Sequence, residues 1–108
     1  MKIAIIGSSQ YYEKMFAYAE MLKRKGHEVR LPVLDDGDFD ELHLMEQNRD
    51  SIEWAEEIHM FWDGRSQGTW GDFCMAFALR RPVKLVYLEQ KSIRNIVVKY
   101  CEEECHKS

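Results

Sequence analysis

The chain lacks long apolar runs, is poor in proline and glycine, and has an odd, small number of cysteines. Each shortage removes a class of protein. No stretch reaches the roughly 20 apolar residues that a membrane helix needs, so no membrane partner is expected. Three cysteines among 108 residues do not make a disulfide framework, which fits reduced thiols and a cytoplasmic setting. The opening run Met1-Lys2-Ile3-Ala4-Ile5-Ile6-Gly7 is too brief for a signal peptide and lacks a small-residue cleavage site. Two prolines and six glycines form no linker or low-complexity tract, and no internal repeat stands out. A single domain over residues 1–108 is therefore expected. Basic residues are outnumbered, 15 against 19 acidic, for a net charge near −4. With no basic stripe either, a nucleic acid polymer is not an expected partner. The dinucleotide pattern G-x-G-x-x-G is absent, because Ser9 and Tyr12 stand at the later glycine positions. The P-loop pattern is absent too, which argues against an NAD enzyme or a typical NTPase.

What remains is a hydrophobic share of 45%, laid out as alternating strands and helices. Ile3 to Ile6 is a continuous apolar run ending at Gly7, the pattern of a buried parallel strand. A helix is predicted from about Tyr11 to Lys25, with Met15, Ala19 and Leu22 on one face, Phe16 beside them, and Gly26 as a left-handed cap. His27 to Leu31 is a second strand, stopped by Pro32. Met45 to Glu56 reads as a helix with Met45, Ile52 and Ala55 on one face, and Ile58 to Trp62 as the third strand. Thr69 to Arg80 is a helix carrying Phe73, Ala76 and Phe77 inward. Val83 to Leu88 is the fourth strand, and a last helix runs from about Ser92 to Glu104. Strand–helix alternation implies an α/β fold: a small Rossmann-like, flavodoxin-like parallel sheet of order 2-1-3-4 with helices on both faces. Ligands of such sheets bind where the chain reverses direction, beyond the carboxyl ends of strands one and three. The loops there are residues 7–12 and 63–69.

Two segments carry the candidate chemistry. After strand one, Gly7 permits a tight turn and close ligand approach. Ser8 and Ser9 offer hydroxyls ahead of a helix N-terminus that favours anions; the alternative is an ordinary serine-capped turn. In Ser66-Gln67-Gly68-Thr69-Trp70-Gly71-Asp72, Asp72 is expected in the first helical turn, where it is either a cleft nucleophile or the acidic partner of a capping box opened by Thr69. Asn48, polar on an inward helical face, seeks a ligand or a backbone group. Asp63 and Arg65 lie in the second loop, and Arg65 suits a phosphate or a surface acid. Tyr11 and Tyr12 open the first helix, where one covers the cleft or packs. His59 is read as structural, and Trp54 and Trp70 as a surface for self-association. The acidic run Asp35, Asp36, Asp38, Asp40 and Glu41 fails the calcium-loop spacing and reads as a solvated loop. Cys101, Cys105 and His106 form only a weak metal pattern, so no metal site and no cofactor are expected.

In these segments the chain resembles the nucleoside 2-deoxyribosyltransferase family and its relatives that hydrolyse deoxynucleoside 5′-monophosphates. The resemblance rests on Ile5-Ile6-Gly7-Ser8, Ile52-Glu53-Trp54-Ala55-Glu56, Ser66-x-Gly68-x-x-x-Asp72-x-x-x-Ala76 and Arg81-Pro82-Val83. It covers most of the chain in order, through short motifs. It implies a nucleoside 2-deoxyribosyltransferase-like domain that binds a small nucleotide or nucleoside; the short chain and the Trp54 and Trp70 surface separately point to a homodimer or higher homo-oligomer. It implies N-glycosidic bond cleavage or base transfer, with Asp72 at the position of the family's nucleophilic glutamate. Gly7, Ser8, Ser66 and Gly68 would bind phosphate or sugar, with Ser9, Asp63, Arg65 and Thr69 around them. Asn48 would orient the sugar, and Tyr11 would lie near the base. Ser66 matches the monophosphate hydrolases, where a serine holds the 5′-phosphate; the transferases carry an aspartate there. Asn48 stands for a family aspartate and Cys74 for a glycine. Asp72 is one methylene shorter than glutamate, roughly 1.5 Å less reach, where reacting atoms approach to about 3–3.5 Å. Either the cleft has contracted to suit, or binding persists without catalysis.

Overall fold

The structure, a computed structural model, describes residues 1–33 and 40–89 together with Val97, Tyr100 and Cys101. Four strands, β1 (Lys2–Gly7), β2 (Glu28–Arg30), β3 (Glu57–Trp62) and β4 (Val83–Leu88), alternate with three helices, α1 (Tyr12–Arg24), α2 (Glu41–Trp54) and α3 (Gln67–Ala78). All strand pairs are parallel and the order is β2-β1-β3-β4. This is the expected α/β sheet.

The central strands are mostly apolar because both of their faces are covered, with His59 the buried polar exception. Ala4 and Ile6 of β1 join Ile58 and Met60 of β3 against Ile52, Ala55 and Ala76 on the face covered by α2 and α3. The alternate residues Ile5 and Phe61 meet Met15 and Ala19 of α1 on the other face. Edge strands β2 and β4 carry exposed positions instead. Gly26 ends α1 at φ +93°, with its N–H on the Lys23 carbonyl and the His27 N–H on the Leu22 carbonyl. That is a left-handed glycine cap, as the sequence predicts. His59 is buried between the Tyr18 hydroxyl at Nδ1 and the Glu57 carboxylate at Nε2, which is a structural setting.

Several expected boundaries move. Helix α1 starts at Tyr12, after one 3-10 turn over Ser9–Tyr11. Helix α2 starts four residues before Met45, because Asp40 caps it by accepting the His43 N–H at 2.7 Å. Helix α3 starts at Gln67 with Ser66, not Thr69, as its cap. Phe77, expected inward, is 75% exposed, because Ala76 with Phe73 and Met75 forms the stripe that meets the core; Phe16 and Met45 also sit on the surface. Trp54 packs against the core with the Arg30 guanidinium 4.2 Å from its ring centre. The predicted helix over 92–104, most of the acidic loop, Cys105 and His106 lie outside the described residues. No described helix is long and apolar enough to cross a membrane.

Gly7 has a packing role besides the expected one. A Cβ there would lie 2.6 Å from Met15 Sδ and 2.8 Å from the Phe61 carbonyl oxygen. The sulfur can move, but the carbonyl belongs to the neighbouring strand. Gly7→Ala should therefore cost about 1–3 kcal/mol of stability through overpacking. Urea unfolding checks it, and an unchanged midpoint would contradict this account.

Candidate functional site

Helix α1 covers one face of the sheet and α3 the other, so the chain leaves β1 and β3 in opposite directions. Between their carboxyl ends lies a pocket of about 480 Å³, within the size range of small-molecule sites. Gly7, Ser8 and Ser9 form one wall and Ser66, Gln67, Gly68, Thr69 and Asp72 a second. Pro32 and Val33 with Glu41, Leu44, Met45 and Asn48 of α2 form the third.

Ser66 is held from every side. Its N–H donates to Asp63 Oδ1 at 2.8 Å. Its carbonyl accepts from the Trp62 indole at 3.1 Å and from the Trp70 N–H at 3.1 Å. Its hydroxyl accepts from the Thr69 N–H at 3.4 Å and from the Thr69 hydroxyl at 3.2 Å. Being the cap, it leaves the N–H groups of Gln67 and Gly68 without intrahelical acceptors, at the positive end of the helix dipole. The Thr69 hydroxyl also lies 3.3 Å from Ser8 Oγ, and both residues are buried. A hydroxyl chain thus joins the β1 turn to the start of α3.

Asp72 lies in the second turn of α3, not the first, because the helix begins at Gln67. It is not the partner of a Thr69 cap, since Ser66 fills that role. The residue is only 9% exposed and its carboxyl accepts no hydrogen bond among the described residues. Burial alone pushes its pKa up to about 6. An unpaired buried carboxyl of this kind destabilises a fold and is characteristic of functional sites.

The remaining expected residues divide. Asn48 lines the pocket and accepts the Val33 N–H at 3.4 Å, tying the chain after β2 to α2. Asp63 and Arg65 do not line the pocket. Asp63 instead braces the loop, taking the Arg65 N–H at 2.9 Å and Gln10 Nε2 at 2.8 Å besides Ser66. Burial raises its pKa, but these hydrogen bonds outweigh burial and leave it below the ordinary value. Tyr11 does not cover the cleft. The 3-10 turn carries it onto the α1 face, where its ring meets Tyr87 edge-on and its hydroxyl donates to Glu89 Oε2 at 3.1 Å. Burial first, and then Glu89, push the Tyr11 phenol up to about 12. Trp70 is 51% exposed and stacks on Trp62 and Phe73. Gln67, Pro32, Val33, Glu41 and Leu44 join the pocket without having been singled out. The Asp40-Glu41 pair, a cap followed by a first-turn acid, is the sequence signal that α2 begins early enough to reach it. Among the described residues no group of three or more His, Cys, Asp or Glu side chains is placed to hold a metal.

The Asp72 environment fixes a pH dependence of stability. Its folded pKa is raised, so the neutral carboxyl is the form the fold favours. That contribution is complete below the unfolded-state value near 3.9 and is lost as pH rises through about 6. Asp72→Asn should therefore stabilise the protein by about 1–3 kcal/mol at pH 7 and by almost nothing at pH 4. Denaturant unfolding at both pH values measures this; an equal effect at each would contradict it.

No protein-family model matches this chain and no curated protein matches it, so the cleft's own geometry carries the functional reading.

Proposed function

We propose that the pocket takes a deoxynucleoside 5′-monophosphate or deoxynucleoside and that Asp72 cleaves its N-glycosidic bond. The observation that carries this reading is a buried, unpaired carboxyl sharing a switch-point pocket with a helix N-terminus and serine hydroxyls. The resemblance of Ser66-x-Gly68-x-x-x-Asp72 to the deoxyribosyltransferase pattern supports it, and Ser66 favours the phosphate-bearing substrate.

In this mechanism the ionised Asp72 attacks C1′ of the sugar on the face opposite the base. The C1′–N bond breaks, and its electron pair leaves with the base, which takes a proton from solvent. Water then attacks C1′ of the glycosyl ester, the carboxylate departs, and a proton is released. The products are the free base and the deoxyribose, phosphorylated where the substrate was. A second base in place of water gives transfer. The Gln67 and Gly68 N–H groups and Ser66 seat the phosphate. Pro32, Val33, Leu44 and Met45 supply an apolar wall for the base. The protein would work as a homo-oligomer in the cytoplasm, with the exposed Trp70 stack as the self-association surface.

A second reading, a nucleotide-binding module without turnover, draws on Asn48. Its carbonyl is engaged with the Val33 N–H rather than left for a sugar. The two readings separate in one experiment. Incubation with a panel of deoxynucleoside monophosphates should release free base, and Asp72→Ala should reduce the rate by at least about a hundredfold, by analogy with losses of positioned catalytic groups. Because the nucleophile must be ionised, kcat/KM should fall about tenfold per pH unit below pH 6. Ligand-dependent thermal stabilisation with no base released selects the binding module. Base release undiminished in Asp72→Ala would refute the mechanism.

A further inference from the structure

We propose that Thr69 is a positioning residue that fixes the proton order of the hydroxyl chain, so that Ser66 meets the ligand only as a donor and the seat selects a phosphate group. The proposal deepens the phosphate-bearing reading above and rests on it for the identity of the ligand.

A hydroxyl has one hydrogen and two lone pairs. The Thr69 hydrogen goes to Ser66 Oγ at 3.2 Å. In the contact at 3.3 Å between Ser8 and Thr69, Ser8 must therefore be the donor. Both lone pairs of Ser66 are taken, one by the Thr69 N–H and one by the Thr69 hydroxyl. What Ser66 has left is its own hydrogen, on a side chain that lines the pocket. The Gln67 and Gly68 N–H groups beside it are donors as well. Three donors with no acceptor among them complement phosphate oxygens and favour such an anion over a neutral hydroxyl, which offers fewer lone pairs and no charge. Ser8 has the opposite character: its hydrogen is spent on Thr69, so it faces the ligand as an acceptor and does not serve as a second phosphate donor. Thr69 is only 2% exposed and acts through the two serines that its hydroxyl engages. A second, independent sign of a ligand here is Asp72, nine-tenths buried, without a partner and lining the same pocket.

The test uses the full chain and three probes: inorganic phosphate, a deoxynucleoside 5′-monophosphate, and the same deoxynucleoside without phosphate. Amide chemical shifts of Ser66 and Gly68 report binding at the seat. Thr69→Val should weaken inorganic phosphate and the monophosphate by roughly five- to tenfold, the worth of one oriented hydrogen bond, and leave the nucleoside unchanged. Thr69→Ser should restore wild-type affinity, which a purely packing role would not. Ser66→Ala should cost more phosphate affinity than Ser8→Ala. Equal weakening of all three probes by Thr69→Val, failure of Thr69→Ser to rescue, or Ser8→Ala costing as much as Ser66→Ala would overturn the proton order. Absence of any phosphate-dependent shift at Ser66 in the wild type would overturn the seat itself. Phosphate binding with the predicted pattern but no nucleotide binding keeps the seat and removes the nucleotide reading.

Discussion

Helix α3 begins where the Ser66 hydroxyl takes the Thr69 N–H, and that start decides which side chains look into the cleft. Ser66 and Thr69 are both good cap residues, and local sequence alone leaves the choice between them open. The surroundings resolve it. Asp63 holds the Ser66 N–H, the Trp62 indole holds its carbonyl, and Gln10 from the β1 turn braces Asp63. A helix beginning three residues later would carry Asp72 in its first turn, where the dipole lowers a carboxyl pKa. Beginning at Gln67, it places Asp72 one turn deeper, buried, with its pKa raised to about 6.

That arrangement opposes stability and function at one residue. Nothing among the described residues compensates the Asp72 charge, so the fold carries the cost of burying it. The rest of the architecture is apolar and closely packed. Gly7 lies so near the Phe61 carbonyl that no side chain fits, and Ile52, Ile58 and Ala76 are fully enclosed beneath the cleft. The rigid sheet holds the two loops at a fixed separation, and a short hydroxyl chain joins them. Donors face one part of the pocket and the carboxyl another, which suits a ligand with an anionic end and an electrophilic centre nearby.

The fold was legible in the sequence where burial on both faces writes a largely apolar run, unbroken in Ile3 to Ile6 and broken only by His59 in Ile58 to Trp62. The strand order followed from alternation, and the cleft from the strand order. What escaped was set by tertiary contacts. The first turn of α2 escaped because Glu41 and Leu44 line a pocket mouth and Leu42 is exposed, so no core-facing stripe marks it. Adjacent Tyr11 and Tyr12 are indistinguishable in sequence until a 3-10 turn sends Tyr11 onto Tyr87 and Glu89. Asp63 has the composition of a ligand-binding loop residue, yet its hydrogen bonds run to that loop's own backbone and to Gln10. The hydroxyl chain was invisible because Ser8 and Thr69 are 61 residues apart in the chain.

The site depends most on Asp72 being a buried, unpaired carboxyl facing the pocket. Carbon-13 NMR of the Asp72 side-chain carboxyl, followed from pH 3 to pH 8, measures that directly. The geometry predicts a single titration with a midpoint near pH 6. A midpoint near the ordinary aspartate value of about 3.9 would place the carboxyl in solvent or against a hydrogen-bond donor, and would contradict the site described.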